Sequence, residues 1–215
     1  MKNKRLEAIL NLINEDMNII DIGCDHAYLA IEVAKKFNNS KIIASDINKN
    51  ALSFAAKNIK NNNLTNKIAI KLQNGIDYIG ESNTAIIAGM GAYEILHILN
   101  SKNTSKLDTF IVSPNNNHQL FREKLNKLGL IIDYEQLIFD KKWYLILVLK
   151  KGNKIYSYEQ TLLGPKLLEN KDVIFKKYYN QVLKKLKLIY IKIPKYDSVT
   201  KRKFKKKIKI IDKNL

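Results

Sequence analysis

Apolar residues occur along this chain in two alternating patterns: short unbroken runs, and longer stretches at three-to-four-residue spacing. The runs 19–22, 42–45, 68–72, 84–88 and 109–113 are rich in Ile, Val and Ala and have strand length. Strands covered on both faces read this way, without polar alternation. Helical spacing recurs between them: Ala27, Leu29, Ala30, Val33, Ala34 and Phe37, then a pattern over 49–61, then Ile95, Leu96, Ile98 and Leu99 after Tyr93. Such alternation predicts a mostly parallel sheet with helices on both faces. A helix is predicted over 118–128, closed by Gly129. Residues 130–139 and 143–150 flank Asp140-Lys141-Lys142 and predict an antiparallel hairpin finishing the sheet. At the start, Leu6, Ile9, Leu10 and Ile13 predict an amphipathic helix over 4–14 that covers a sheet edge.

The pattern changes after Lys151, where Gly152-Asn153 marks a boundary between a unit of residues 1–151 and one of 152–215. Leu168, Phe175, Val182 and Ile189 recur at intervals of seven, which predicts one long helix over 166–190 with a coiled-coil-like seam. Pro194 stops it, and Val199, Phe204, Ile208 and Ile211 predict a returning helix, hence an α-helical hairpin.

Charge sharpens that division. The 215 residues carry a net charge of +18, and only Arg5, Arg122 and Arg202 of the 38 basic residues are arginine. The abundance of Lys, Asn and Ile is what an AT-rich coding bias produces, so the total is discounted. Location says more: residues 1–150 hold 19 basic and 15 acidic residues, net +4, whereas 151–215 hold 19 and 5, net +14. Coding bias acts on the whole chain and does not produce that asymmetry; a polyanionic partner accounts for it. No apolar run approaches the ~20 residues of a membrane span, and Cys24 has no second cysteine to pair with. These features imply a cytoplasmic protein without membrane association.

Candidate chemistry concentrates after the first strand. The segment Ile19-Ile-Asp21-Ile-Gly23 followed by a helix is how a doubly wound fold begins a nucleotide site. A dinucleotide fingerprint needs three glycines, and here only Gly23 is present. Asp21 instead stands two residues before the glycine, the spacing of S-adenosylmethionine sites in Rossmann-like methyltransferases. Asp46 ends the second predicted strand 23 residues past Gly23, where a carboxylate accepts both hydroxyls of a ribose. Its plainer reading is a helix N-cap, and both can hold. His26, His97 and His118 have no ligand-like spacing with Cys24, so no metal is implied.

The string Asp21-Ile-Gly-Cys-Asp-His-Ala-Tyr-Leu29 resembles the bacterial tRNA methyltransferases that methylate N1 of adenine 22. Ala88-Gly-Met-Gly91, Ser113-Pro-Asn115 and Leu163-Gly-Pro165 support the resemblance. Ala30 and Ala92 depart from the family pattern, standing where proline and a further glycine are expected. The resemblance implies a Rossmann-like class I methyltransferase domain, a seven-stranded mostly parallel sheet with an antiparallel last strand, plus a C-terminal α-helical hairpin that holds tRNA. It implies S-adenosylmethionine as cofactor, with Asp21, Gly23, Asp46, Asn74, Gly75 and Gly89 lining its pocket and Cys24, Ile47 and Met90 beside them. Met90 is equally readable as core packing, Asn74-Gly75 as an ordinary turn, and Cys24 as a small packed residue.

N1 of adenine carries a lone pair that attacks a methyl sulfonium directly, so positioning is the main task. Asp25 is the candidate acceptor at the adenine N6 amino group and aid to proton loss. His26 either orients Asp25 or the base, or caps the helix. Tyr28 and Tyr93 are candidate stacking platforms, one of them expected in the core, and Asn115 is a candidate for the adenine edge. A monomer binding tRNA through the basic helices and the sheet edge is the expectation. Alternatives from other classes are a methyltransferase for another RNA or a small molecule, an NAD-dependent oxidoreductase and a non-catalytic RNA-binding protein.

Overall fold

In the computed structural model, which describes residues 3–38 and 41–215, seven strands form one sheet. They are β1 (Ile19–Ile22), β2 (Ile42–Asp46), β3 (Ile68–Leu72), β4 (Thr84–Ala88), β5 (Thr109–Ser113), β6 (Leu130–Asp140) and β7 (Lys142–Lys151). Their order is β3-β2-β1-β4-β5-β7-β6. The first five pair in parallel, while β7 runs antiparallel to both β5 and β6. The order reverses between β1 and β4, so a crevice opens at the carboxyl ends of those two strands.

Both faces of β1, β2, β4 and β5 are covered, which is why these strands show no polar alternation, whereas β3, at the edge of the sheet, is mostly exposed despite its apolar run. Ile20, Ile22, Ala85, Ile87, Phe110 and Val112 point into one apolar layer. Ile19, Ile86 and Ile111 point into the other, beneath α1 (Lys4–Leu10), α2 (Tyr28–Lys36) and α3 (Lys49–Asn61). On the first face lie α4 (Ala92–Leu99) and α5 (His118–Leu125), the latter extended by a tighter turn to Leu128 and closed by Gly129. The first helix is shorter than its apolar pattern suggests, because Asn11 caps it and Ile13 is buried from the following turn.

The C-terminal segment departs further from the sequence expectation. A helix not predicted, α6 (Tyr158–Leu163), starts at a capping box in which the Ser157 side chain accepts from Gln160 N and Gln160 Oε1 accepts from Ser157 N. The single long helix is in fact two, α7 (Pro165–Asn170) and α8 (Val173–Lys192). Lys171 adopts a left-handed φ of 41°, and Asp172 restarts the helix by accepting from Phe175 N at 2.7 Å. Leu168 therefore lies on a different helix from the rest of the seven-residue series, and Ile189 at its other end is exposed. The returning helix is α9 (Ser198–Asn214).

This segment is mounted on the sheet through a buried ion pair. Arg122 Nε on α5 lies 2.7 Å from Glu135 Oε1 on β6, both side chains almost wholly removed from solvent. Arg122 Nη1 also donates to the carbonyl of Thr161, and Tyr179 from α8 donates to that of Leu163. Together they satisfy carbonyls at the end of α6 that lack helical partners. Gly164 follows at φ 91°, and a Cβ there would overlap the Glu135 carboxylate. Tyr156, Leu163, Phe175, Tyr179, Leu183 and Ile211 join the same apolar layer as the sheet. Removing one member of a buried pair strands the other charge, so Arg122→Ala should lower unfolding free energy by about 3–5 kcal/mol in urea titration. Replacing Arg122 and Glu135 together by Met and Leu should recover most of that loss.

Candidate active site

The turn after β1 sets the geometry of the crevice. Gly23, Asp25 and Ala27 have φ of 70°, 49° and 58°, so alternate residues are left-handed. Asp25 stands in the place of the second glycine of the dinucleotide fingerprint, and it and Ala27 both adopt a glycine-like backbone, at about 1–2 kcal/mol each. A Cβ on Gly23 would displace the Met90 methyl group, the movable end of a flexible side chain, so the left-handed φ of 70° is what favours glycine here. The bend is held by Gly23 N and Cys24 N, which both donate to the Ser45 carbonyl at the end of β2.

Two adjoining cavities open over this turn and share Gly23, Asp46, Gly89, Met90 and Asn115. One, of roughly 720 Å³, adds Ile47, Asn74 and Gly75, with Tyr93 and His97 from α4. The other, of roughly 500 Å³, adds Asp21, Cys24, Asp25, His26 and Tyr28. Every residue nominated from the sequence thus lines one cavity or the other, with Met90 between them. Among the described residues, no three His, Cys, Asp or Glu side chains cluster as a metal site would require, and no helix is long and apolar enough to cross a membrane.

Individual groups are held in specific states. Asp46 Oδ2 accepts from Asp25 N at 3.1 Å and Oδ1 from Asn48 N at 2.9 Å, while Asn48 itself caps α3. The N-cap role thus passes to Asn48, and Asp46 keeps free lone pairs facing both cavities. Asp21 is buried without a hydrogen bond or ion pair to its side chain among the described residues. Burial, and then the nearby Asp46 charge, raise its pKa to about 7, with Arg5 acting in the opposite direction. Burial also pushes the Cys24 thiol up to about 12, which leaves it unreactive. His118 is likewise structural: burial and then Arg122 lower its pKa to about 4, and its ring pairs with the Pro114 carbonyl.

His26 does not cap α2, whose N-cap is Ala27. Its Nε2 lies 3.8 Å from Asp25 Oδ1, beyond hydrogen-bond distance. The ring instead stacks on Tyr28, with centroids 5.5 Å apart, and meets Phe54 at 5.3 Å. Neither Tyr28 nor Tyr93 is in the core; they are 60% and 63% exposed. Asn115 Nδ2 donates to the Gly89 carbonyl, tying the ends of β4 and β5 and leaving Oδ1 available.

Sequence reasoning missed Arg5, Lys142 and Phe54. Arg5 and Lys142 line the smaller cavity from α1 and the β6–β7 turn. The one signal was compositional: where lysine supplies nearly every cation, each of three arginines invites inspection.

Solved structures share this architecture over nearly the whole chain. A Streptococcus agalactiae protein of the NADB-Rossmann superfamily superposes with a TM-score of 0.93 at 30% identity, across 100% of this chain and 97% of its own. TrmK of M. capricolum, solved with S-adenosyl-homocysteine, gives 0.87 at 27% identity, across 99% and 97%. Strand order, glycine turn and the acid closing β2 define a Rossmann-like class I methyltransferase. The tRNA (adenine(22)-N(1))-methyltransferase of Bacillus subtilis is 32% identical over 203 residues, 89% of this chain and 85% of the relative. A profile of the family described as TrmK: tRNA (adenine(22)-N(1))-methyltransferase matches residues 19–213, and the chain belongs to that family.

The state of Asp21 has a measurable consequence. The folded chain holds this proton up to about pH 7, whereas an unfolded aspartate releases it near 3.8, so the unfolded state binds fewer protons between those values. Stability of the ligand-free protein should therefore fall as pH rises through that window, by on the order of 1–4 kcal/mol. Asp21→Asn should abolish this component, which urea titrations at pH 5 and pH 8 will reveal.

Proposed function

We propose that this protein transfers a methyl group from S-adenosylmethionine to N1 of adenine 22 in tRNA. The observation that carries the reading is the pair of joined cavities at the carboxyl edge of a methyltransferase sheet: residues for the cofactor line both, and the smaller, beside Asp21, also admits an extruded base. The residues present fit the cofactor: a buried, unpaired Asp21 carboxyl complements an ammonium group, and the left-handed turn exposes bare backbone at Gly23. Asp46 accepts from ribose hydroxyls, and the turn at Asn74-Gly75 approaches the adenine ring. Gln73 pins that turn by donating to the carbonyls of Gly75 and Tyr78. When bound, the cofactor supplies an electrophilic methyl group.

This chain's own residues then position the target. A base within folded tRNA must leave its stack to reach the smaller cavity. Asp25, exposed at the cavity rim, accepts a hydrogen bond from the N6 amino group, and that bond strengthens as the ring gains positive charge. The same carboxylate then receives a proton from the methylated base, or passes it to water. Tyr28, with His26 stacked behind it, offers the base a flat aromatic face. Asn115 Oδ1 faces the base edge.

Residues 152–215 act as the tRNA-holding arm, with the sheet edge completing the contact. Lys176, Lys177, Lys184, Lys185 and Lys187 of α8 and Lys203, Lys205 and Lys206 of α9 are exposed, forming the electrostatic footprint of a polyanion. The enzyme works as a cytoplasmic monomer on this reading, since one chain supplies every group of the site.

Incubation with labelled S-adenosylmethionine and tRNA, followed by mapping of the modified base, tests the reaction; tRNA with guanine at position 22 should stay unlabelled. Asp25→Ala should lower the methylation rate by about 100-fold or more while cofactor affinity is retained. Asp46→Ala should instead weaken cofactor binding, as read by calorimetry. Replacing Lys184, Lys185, Lys203 and Lys205 with Glu should weaken tRNA binding and flatten its dependence on salt, by about 0.7–0.9 in log–log slope for each phosphate no longer neutralised. Melting temperature should not change.

A further inference from the structure

Charge is sorted across the smaller cavity. Asp21, Asp25 and Asp46 line the side formed by β1 and β2, whereas Arg5 and Lys142 line the side formed by α1 and the β6–β7 turn. Both cations lie over one ring, Tyr144, with Arg5 at 5.0 Å and Lys142 at 5.1 Å from its centroid. Lys4 N donates to Asp140 Oδ2 at 3.1 Å, fastening α1 to the turn that carries Lys142. The Arg5 guanidinium is half-buried and makes no hydrogen bond or ion pair among the described residues, although it lies close to Gly89 on the cavity floor. A guanidinium held by an aromatic face, with its donors unspent, is built to receive an oxyanion.

The neighbourhood indicates which oxyanion. Trp143, next to Lys142, donates to Gln181 Oε1 on α8 at 2.8 Å and packs against Tyr178. Phe139 touches Trp143 and carries Lys177 of α8 over its ring. Cations thus run from the lysine-covered arm across the β6–β7 turn to the cavity, through Lys177, Lys142 and Arg5. A nucleotide entering the smaller cavity brings two phosphodiesters with it, and this is the only cationic wall they meet there among the described residues.

We infer that Arg5 and Lys142, steadied over Tyr144, form a phosphate-binding subsite that grips a phosphodiester flanking the target adenosine. The inference rests on the tRNA methyltransferase reading above. Arg5 and Lys142 are positioning residues: they fix the extruded nucleotide by its backbone while Asp25 and Tyr28 meet the base.

The test uses the full chain and full-length tRNA, ligated from synthetic pieces with methylphosphonate in place of the phosphates flanking adenine 22. Methylation of unmodified tRNA by the unaltered enzyme is the control, and its absence would count against the function itself rather than this subsite. Given that activity, Arg5→Ala should lower kcat/KM for tRNA by about 10- to 100-fold, with Arg5→Lys recovering part. The affinity for S-adenosylmethionine should stay within about twofold, and the salt slope of tRNA binding should fall by about one. Neutral phosphates should cost the unaltered enzyme a similar factor and Arg5→Ala almost nothing further. A loss of cofactor affinity with tRNA parameters intact would overturn the inference and place Arg5 on the cofactor carboxylate. Full activity of the unaltered enzyme on methylphosphonate tRNA would overturn it as well, whatever the folding of the variants.

Discussion

A guanidinium shut away from water against a single carboxylate determines how the C-terminal third of this protein stands on its sheet. Burial alone would pull the Arg122 pKa down, but the Glu135 charge and hydrogen bond outweigh it and raise the value above normal. The pair reaches both ways: Arg122 holds the α6 carbonyls, and Gly164 must lack a side chain because Glu135 occupies that space. Such a pair adds little net stability compared with apolar packing, but it tolerates few other arrangements. Its effect is orientation. The aromatic contacts from Phe175 through Tyr179, Tyr178 and Trp143 to Phe139 continue from this joint to the rim of the cavity.

The second constraint is backbone strain in the turn from Gly23 to Ala27. Two non-glycine residues held left-handed are costly locally, and the surrounding core must compensate. Ala27 is fully buried, and its carbonyl and N–H are both engaged. The return on that strain is a carboxylate at position 25 where the dinucleotide fingerprint has bare glycine. An acid at this place separates the turn from a general nucleotide cradle.

These two constraints together explain why the basic arm and the catalytic edge are not independent parts. Residues that the charge asymmetry assigns to a separate unit supply Phe175, Tyr179, Leu183 and Ile211 to the layer shared with the sheet. Asn214, one residue from the end, donates to Glu159 and accepts from Lys171, closing the hairpin back onto its base. The lysines are carried on a framework that the catalytic sheet stabilises, and the cations at the cavity rim join the two.

The chain by itself determined what depends on local chemistry: unbroken apolar runs for strands with two covered faces, the break at Gly23, the acids at 21, 25 and 46, and the lysine excess beyond residue 151. These are legible because each records a demand made by near neighbours or by solvent. The capping box at Ser157 and the helix restart at Asp172 were also written in local residues, but the seven-residue recurrence of apolar positions masked the second. Tertiary structure alone decided what depends on distant groups. It brought Arg5, sixteen residues before Asp21, to the far wall of the same cavity, and it set Lys142 and Tyr144 beside it. It also exposed both Tyr28 and Tyr93 and set the His26 ring on Tyr28, with Nε2 3.8 Å from the Asp25 carboxylate. No periodicity encodes such meetings, because they arise only when sheet order and the buried Arg122–Glu135 joint place remote segments side by side.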